Sequence, residues 1–188
     1  MNVDVILASA SPRRKELLGY IFDDFKIISS SVDESVPKDI PAFVYPEYLS
    51  NLKAMDIASN HYHSLVIGAD TIVMLENDIL GKPKDKNDAR NMLSSLSGKT
   101  HKVITGCTLA YMGKKLTFSV VTEVEFYPLS EREIEEYINT DEPYDKAGGY
   151  GIQSKGALFV KKINGDYFNV VGFPIAELKR SIEKILTL

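Results

Sequence analysis

Two neighbouring arginines, Arg13 and Arg14, lie where an apolar segment gives way to a helical pattern, in the stretch LASASPRRKELL. Ser11 is a good helix N-cap and Pro12 suits the first helical position. The N-terminus of a helix attracts anions, and its first turn usually carries acidic side chains. Two arginines are either surface charges, solvated or ion-paired, or ligands of an anion. Because guanidinium groups donate bidentate hydrogen bonds to phosphate, and because Ser9 stands beside them, we favour a phosphate site.

Carboxylates follow two other predicted strands. Asp70, in IGADTIV, ends an apolar run and is expected at or near a strand end. There it is either a turn-capping residue or a metal ligand or general base. Asp33 and Glu34 follow FKIISS. They are either acids of a surface loop or part of a magnesium site with Asp70, since hard cations bind carboxylates together with substrate phosphates.

Two lysines and a glutamine occupy further positions of interest. Lys82 follows Gly81 in a turn, and Lys53 lies on a predicted helix. Each lysine taken alone predicts only a solvent-exposed charge. The stretch DEPYDKAGGYGIQSKG contains closely spaced glycines, which permit close approach of the backbone. Gln153 within it offers an amide donor and acceptor of the kind that base recognition needs.

The elements that must position these residues alternate between strands and helices. Strands are predicted at VDVILA, at FKIISS, at SLVIGADTIVML with a break at its glycine, and along THKVITG to FYP with a turn at Gly113. Helices are predicted over 11–21, 42–58 and 85–96, at SEREIEEYI, and at the C-terminal end, where Ile175, Leu178, Ile182 and Ile185 recur. GALFVKKINGDYFNVV predicts a hairpin turning at NGD. This order indicates a mixed α/β fold.

Composition limits the class of protein. A chain of 188 residues with 44% hydrophobic residues suits a single domain over residues 1–188, with two lobes. A net charge of -4 argues against a nucleic-acid binder. The one cysteine, Cys107, fits a reducing compartment, and no apolar run approaches the roughly 20 residues that span a bilayer. We therefore expect a cytoplasmic protein that binds neither nucleic acid nor membrane.

Six motifs, taken together and in order, resemble the Maf family of nucleoside triphosphate pyrophosphatases. They are SASPRRKELL, GADTIV, GKP, SGKTHKVITG, EPYDKAGGYGIQ and GDYFNVVGFP, and they extend from about residue 5 to about residue 178. The resemblance implies two lobes around a central cleft, similar to the inosine triphosphate pyrophosphatase-like (Maf/Ham1) fold. It implies cleavage of a nucleotide between its α- and β-phosphates with a divalent cation, Mg²⁺ or Mn²⁺. It also implies a homodimer and a link to septum formation.

The resemblance also implies roles for individual residues. Asp70 is the catalytic base and, with Glu34, a metal ligand. The expected substrate-binding residues are Ser9, Arg13, Arg14, Lys53, Thr71, Lys82 and Gln153.

The resemblance implies that Arg13, Thr71 and Gln153 set base preference, and it also indicates a branch of the family. Thr71 stands after Asp70, where the 7-methyl-GTP branch carries glutamine, so the branch is the one that hydrolyses dTTP and UTP. We expect Gln153 to pair with the pyrimidine edge and Tyr150 to close over the ring. Two alternatives stay open: the same chemistry on 7-methyl-GTP or another modified nucleotide, and a non-catalytic nucleotide-binding regulator of division.

Overall fold

The computed structural model describes residues 3–37 and 39–187. Its strands are β1 (Val5–Leu7), β2 (Lys26–Ile27), β3 (Leu65–Leu75), β4 (Asp78–Leu80), β5 (Thr100–Tyr111), β6 (Lys114–Phe126) and β7 (Val160–Asn164). They form a seven-stranded sheet in the order β2-β1-β3-β5-β6-β7, and β4 pairs with β3 off this path. β1 is parallel to β2 and β3, whereas β3 and β4 are antiparallel, as are β6 and β7. The predicted mixed α/β fold is therefore confirmed.

The helices are α1 (Pro12–Leu18), α2 (Tyr45–Ala58), α3 (Lys86–Leu96), α4 (Glu131–Ile138), α5 (Tyr167–Val171) and α6 (Ile175–Thr187). Local sequence explains where several of them begin. The hydroxyl of Ser11 accepts a hydrogen bond from the Arg14 amide at 3.4 Å, and Asp85 caps α3 in the same way at 2.8 Å. Ser130 and Glu133 form a capping box at α4. None of the helices in residues 3–37 and 39–187 is both long and apolar enough to cross a membrane.

The chain divides into two compact units. The first comprises Met1–Asp70, Thr105–Val120 and Gly172–Leu188, and the second comprises Thr71–Ile104 and Val121–Val171. Each unit has its own apolar cluster. In the first, Ile6, Ala8, Val66 and Ala110 pack with Ala54 and Ile57 of α2. In the second, α3 and α4 contribute Ala89, Leu93, Leu96, Ile134, Tyr137 and Ile138, which pack with Val73, Val103, Val124, Phe126, Tyr150 and Phe159.

Two glycines of the first unit allow α2 to lie directly on the strands. A Cβ at Gly68 of β3 would come within 2.3 Å of the Ser50 carbonyl oxygen and 2.8 Å of the Ala54 nitrogen. A Cβ at Gly106 of β5 would lie 2.2 Å from the Pro46 carbonyl carbon. No side chain fits at either position, so these glycines fix the distance between the helix and the sheet.

The structure corrects the prediction of a strand break at Gly68. β3 is continuous from Leu65 to Leu75, and the glycine serves the packing of α2. Asp70 therefore lies in the middle of a strand and not near its end. The predicted strands VDVILA and FKIISS are also shorter than expected, at Val5–Leu7 and Lys26–Ile27.

The predicted hairpin at NGD is wrong. β7 ends at Asn164 and pairs with β6, where Ile163 faces Val124. After Gly165 the chain enters helix α5, because the Asp166 carboxylate accepts a hydrogen bond from the Phe168 amide at 2.8 Å. An aspartate in this position begins a helix as readily as it forms a turn.

Candidate active site

Two carboxylates of the first unit, those of Asp70 and Glu34, contact the ammonium group of Lys53. The Lys53 ammonium nitrogen Nζ lies 2.8 Å from Asp70 Oδ1 and 3.0 Å from Glu34 Oε2. Lys53 is buried, and the side chain of Asp70 is 14% exposed, whereas that of Glu34 is 58% exposed. The site is thus a partly buried ion-paired triad that opens to solvent at Glu34.

The position of Lys53 follows from the packing of its helix. Lys53 precedes Ala54, which contacts the backbone of β3 at Gly68. Asp70 lies two residues further along the same strand. Because α2 lies close to β3, the side chain of Lys53 reaches Asp70. The helical periodicity of α2 alone does not indicate this contact.

The two carboxylates of the triad suit a hard divalent cation. Both lie within 3.0 Å of one positive group, so they converge on a single position. No group of three or more His, Cys, Asp and Glu side chains within residues 3–37 and 39–187 is placed to hold a metal ion. A cation at Asp70 and Glu34 would therefore need further oxygen ligands, which substrate phosphates can supply.

Asp33 has a different role from its neighbour Glu34. Its carboxylate accepts hydrogen bonds from the Ser35 amide at 3.0 Å and the Ser35 hydroxyl at 2.7 Å. These bonds lower the pKa of Asp33. Of the two loop acids, only Glu34 contacts Lys53, so Asp33 is a turn-capping residue.

Arg14 donates hydrogen bonds to three segments of the first unit. Its Nε donates to the Gly172 carbonyl oxygen at 3.0 Å, and its Nη1 donates to the Ala69 carbonyl oxygen at 2.9 Å and to Ser9 Oγ at 3.2 Å. Burial lowers the pKa of the guanidinium, while the charge of Asp70 raises it. Phosphate binding by Arg14 stays a prediction from the sequence. The bond to Ala69 also joins this side chain to the backbone immediately before Asp70.

Ser9 and Arg13 also lie in the first unit. Ser9 Oγ accepts from Arg14 and also from the Ser11 amide at 3.3 Å. Arg13, on the first turn of α1, is partly exposed. α1 is only seven residues long and the Ser11 hydroxyl already accepts from one of its first amides. Phosphate binding at this helix N-terminus stays a prediction from the sequence.

The other predicted site residues belong to the second unit. Thr71 follows Asp70 on β3, and Lys82 is exposed in the loop after β4. Gln153 is exposed in the segment that follows the glycines. The Gly148 amide donates to the Gly81 carbonyl oxygen at 2.9 Å. This bond joins the loop of Lys82 to the glycine-rich segment that leads to Gln153.

The expected role of Tyr150 is not supported by its position. Its ring is 5% exposed and belongs to the apolar core of the second unit. Its hydroxyl lies 2.7 Å from His101 Nε2. Tyr150 cannot cover a nucleobase from this position. This pair was not predicted from the sequence, where its signals are a histidine on a predicted strand and a tyrosine between glycines.

The fold places the chain in a known structural class. A HAM1 protein from Coxiella burnetii superimposes with a TM-score of 0.54 at 15% identity, over 97% of this chain and 99% of that one. The Staphylococcus aureus Ham1 protein gives a TM-score of 0.50 at 15% identity, over 65% of this chain and 71% of that one. The chain thus has the Ham1-like α/β fold that the motifs predicted.

Sequence comparison then defines the family. A family model described as Maf-like protein matches residues 4–185, so the chain belongs to the Maf-like protein family. The dTTP/UTP pyrophosphatase of Bacillus pumilus is 51% identical over 95% of this chain and 95% of its own length. The dTTP/UTP pyrophosphatase of Thermosipho africanus is 52% identical over 93% of this chain and 89% of its own length. That of Clostridioides difficile is 47% identical over 99% of this chain and 97% of its own length. The resemblance to the Maf family is confirmed.

Proposed function

We propose that this protein is a nucleoside triphosphate pyrophosphatase that hydrolyses dTTP and UTP to the monophosphate and pyrophosphate. The observation that carries the proposal is the likeness to relatives named dTTP/UTP pyrophosphatase, at 51% and 47% identity over 95% and 99% of the chain. The triad of Lys53, Asp70 and Glu34 supplies the charged groups that such a reaction needs.

Asp70 is the proposed catalytic base. A water molecule attacks a phosphorus of the linkage between the α- and β-phosphates, and its proton passes to the Asp70 carboxylate. The bond between these phosphates breaks, and the monophosphate and pyrophosphate are released. The hydrogen bond from Lys53 to Oδ1 fixes the orientation of this carboxylate. The bond from Arg14 to the Ala69 carbonyl oxygen fixes the backbone on which Asp70 stands. Correct orientation of a base is a large part of its catalytic effect.

Positive side chains are the proposed ligands of the triphosphate. Ser9, Arg13, Lys53 and Lys82 would contact phosphate oxygens. Arg14 adds positive charge but acts chiefly through its bonds to the protein. We also propose that both units belong to one catalytic domain, since the family model extends over residues 4–185.

Asp70 and Glu34 would hold the divalent cation, Mg²⁺ or Mn²⁺. When bound, the cation neutralises phosphate charge and acts as a Lewis acid on the phosphoryl group. The convergence of the two carboxylates on Lys53 supports this assignment.

The proposed determinants of base preference are Arg13, Thr71 and Gln153. The proposal rests on their places in the motifs SPRR, GADT and GGYGIQ. A homodimer, a cytoplasmic location and a link to septum formation stay predictions from the sequence resemblance.

A screen of pyrophosphate release tests the function. Purified protein would be assayed with dTTP, UTP, CTP, GTP and 7-methyl-GTP, each with Mg²⁺ and with Mn²⁺. We expect the highest kcat/KM for dTTP and UTP. A preference for 7-methyl-GTP would assign the same chemistry to another substrate, and no release with any nucleotide would favour the non-catalytic regulator.

A further inference from the structure

The segment that carries Gln153 has little regular structure of its own. Gly148 and Gly149 both adopt a φ of 70°, and the next residues before the turn at Lys155 form neither strand nor α-helix. Gln153 itself is exposed. A residue that recognises a base must be held within a fraction of an ångström. The structure must therefore fix this segment by contacts with its surroundings.

Tyr150 is the deepest of these contacts. Its hydroxyl lies 2.7 Å from Nε2 of His101, which stands on β5. Its ring meets that of Phe126 on β6 edge to face, with 4.7 Å between centroids, and that of His101 at 5.4 Å. The His101 and Phe126 rings are also edge to face, at 4.9 Å. Edge-to-face pairs of this kind stabilise a fixed ring orientation.

Other bonds hold the backbone on both sides of Gln153. The Gly151 amide donates to the Tyr137 hydroxyl at 3.3 Å. Beyond Gln153, the Glu142 carboxylate accepts from Ser154 Oγ at 2.8 Å and from the Lys155 amide at 3.1 Å. The side chain of Gln153 is thus exposed, while hydrogen bonds hold the backbone before and after it.

A histidine at position 101 destabilises the core in which it lies. Its ring is buried, and Nδ1 has no hydrogen-bond partner within the described residues. A buried polar atom without a partner destabilises the folded state. Phenylalanine would fill much of the same space without that cost, but it could not bond the Tyr150 hydroxyl. The bond to Tyr150 is therefore what a histidine provides here and an apolar ring cannot.

We propose that His101 and Tyr150 are positioning residues for base discrimination: their hydrogen bond anchors the segment that presents Gln153 to the nucleotide. This inference rests on the proposed function, because it requires Gln153 to contact the base. Neither residue touches the substrate. They act by limiting the positions that Gln153 can take.

Tyr150→Phe tests the proposal, with Tyr144→Phe as the matched control. Both changes remove one hydroxyl and keep the ring, and Tyr144 likewise makes one bond of 2.7 Å, to the Ile138 carbonyl oxygen in the same unit. We expect Tyr150→Phe to lower the ratio of kcat/KM for dTTP over CTP by about three- to tenfold, the usual effect of one hydrogen bond. The control should leave the ratio unchanged, and kcat for dTTP should change little in either variant.

Amide hydrogen exchange of residues 148–155 gives a second measurement that does not depend on activity. Exchange should be faster in Tyr150→Phe than in the wild type and unchanged in Tyr144→Phe. Unchanged exchange in Tyr150→Phe would show that the bond between His101 and Tyr150 does not anchor this segment. Faster exchange with an unchanged dTTP/CTP ratio in an active enzyme would overturn the role in discrimination.

His101→Gln and the double variant complete the experiment. If the two residues act through their shared bond, His101→Gln with Tyr150→Phe should lower the ratio no further than the larger single effect. Fully additive effects would refute a shared bond. A wild type that releases no pyrophosphate from dTTP or UTP would refute the proposed function, and with it the discrimination role, while hydrogen exchange would still decide the anchor.

Discussion

Lys53 and Asp70 form an ion pair of 2.8 Å between Nζ and Oδ1, and the same ammonium group lies 3.0 Å from Glu34. Both members of the pair are largely shielded from solvent. Removing one partner of a buried pair leaves a charge without compensation, which is strongly destabilising. Here Glu34 provides a second partner for Lys53, so a neutral residue at position 70 is tolerable for folding. The triad can therefore be tested by substitution at Asp70.

Asp70→Asn should nearly abolish turnover while nucleotide binding largely survives. Asparagine keeps the size of the side chain and can still accept from Lys53, but it cannot take a proton from water. Loss of a general base typically lowers kcat by about 10²–10⁴-fold, and loss of a metal ligand adds to this. Steady-state kinetics and calorimetric titration with a non-hydrolysable analogue measure the two effects. Near-normal turnover in the folded variant would rule out Asp70 as the base.

Arg13 and Arg14 should respond differently to substitution, although they are adjacent. Arg14→Lys retains the charge but cannot reach Gly172, Ala69 and Ser9 together. We expect kcat to fall by about tenfold or more with KM nearly constant, because Asp70 is displaced. Arg13→Ala should instead raise KM by about tenfold, because a phosphate ligand is lost. Equal increases of KM in both variants would mean that Arg14 also binds phosphate directly.

The stability of the protein should depend on pH through His101. Burial lowers the pKa of His101 from 6.5 to about 4, so the folded state favours the neutral imidazole. Above the unfolded pKa of about 6.5, His101 is neutral in both states. Its protonation then takes nothing from the free energy of unfolding. As the pH falls from about 6.5 to about 4, unfolding becomes coupled to protonation and stability declines by up to about 3 kcal/mol. Below about pH 4 both states bind the proton and the decline from this residue ends.

Urea unfolding of the wild type and of His101→Phe measures this contribution. Between about pH 7 and about pH 4.5 the wild type should lose about 2–3 kcal/mol more than the variant. Carboxylates titrate in both proteins and cancel in the difference. Parallel losses in the two proteins would show that His101 does not titrate below its ordinary range.

The motifs predicted the main elements well because those elements have strong local signals. α3 begins at its Asp85 cap, α4 carries a capping box, and β5 and β6 are long strands joined at Gly113, which has a φ of 79°. The wrong predictions lie where the same residue type is compatible with two local structures. Gly68 could break a strand or admit a helix, and only the tertiary packing of α2 decides between them.

The candidate site shows the same limit. The resemblance to the Maf family implied one pocket for Asp70, Glu34 and Lys53, but the distances between them depend on contacts between segments far apart in the chain. Arg14 matched a phosphate-binding pattern, yet its bonds to Gly172 and Ala69 cannot be derived from residues nearby in sequence. Tyr150 in a glycine-rich segment was expected to meet a ligand. Burial against Phe126 is a tertiary property that no local pattern reveals.

Base preference provides the last prediction. The edge of uracil or thymine offers O4 and O2 as acceptors and N3–H as a donor, and a glutamine amide can pair with one acceptor and that donor. Cytosine carries an amino group at C4 and no hydrogen on N3, so the same amide meets mismatched groups. Because unpaired buried polar groups are costly, such a site rejects the wrong pattern strongly. Gln153→Glu removes the amide donor and adds a negative charge.

We therefore expect the wild type to prefer dTTP and UTP over CTP and GTP, and Gln153→Glu to lose most of that preference. The expected loss is about tenfold or more in kcat/KM for dTTP relative to CTP. Gln153 is exposed, so its substitution should leave the melting temperature nearly unchanged. The measurement is kcat/KM for each nucleotide on both proteins. An unchanged ranking in Gln153→Glu would show that another residue reads the base, and a wild type that prefers GTP would reject pyrimidine recognition altogether.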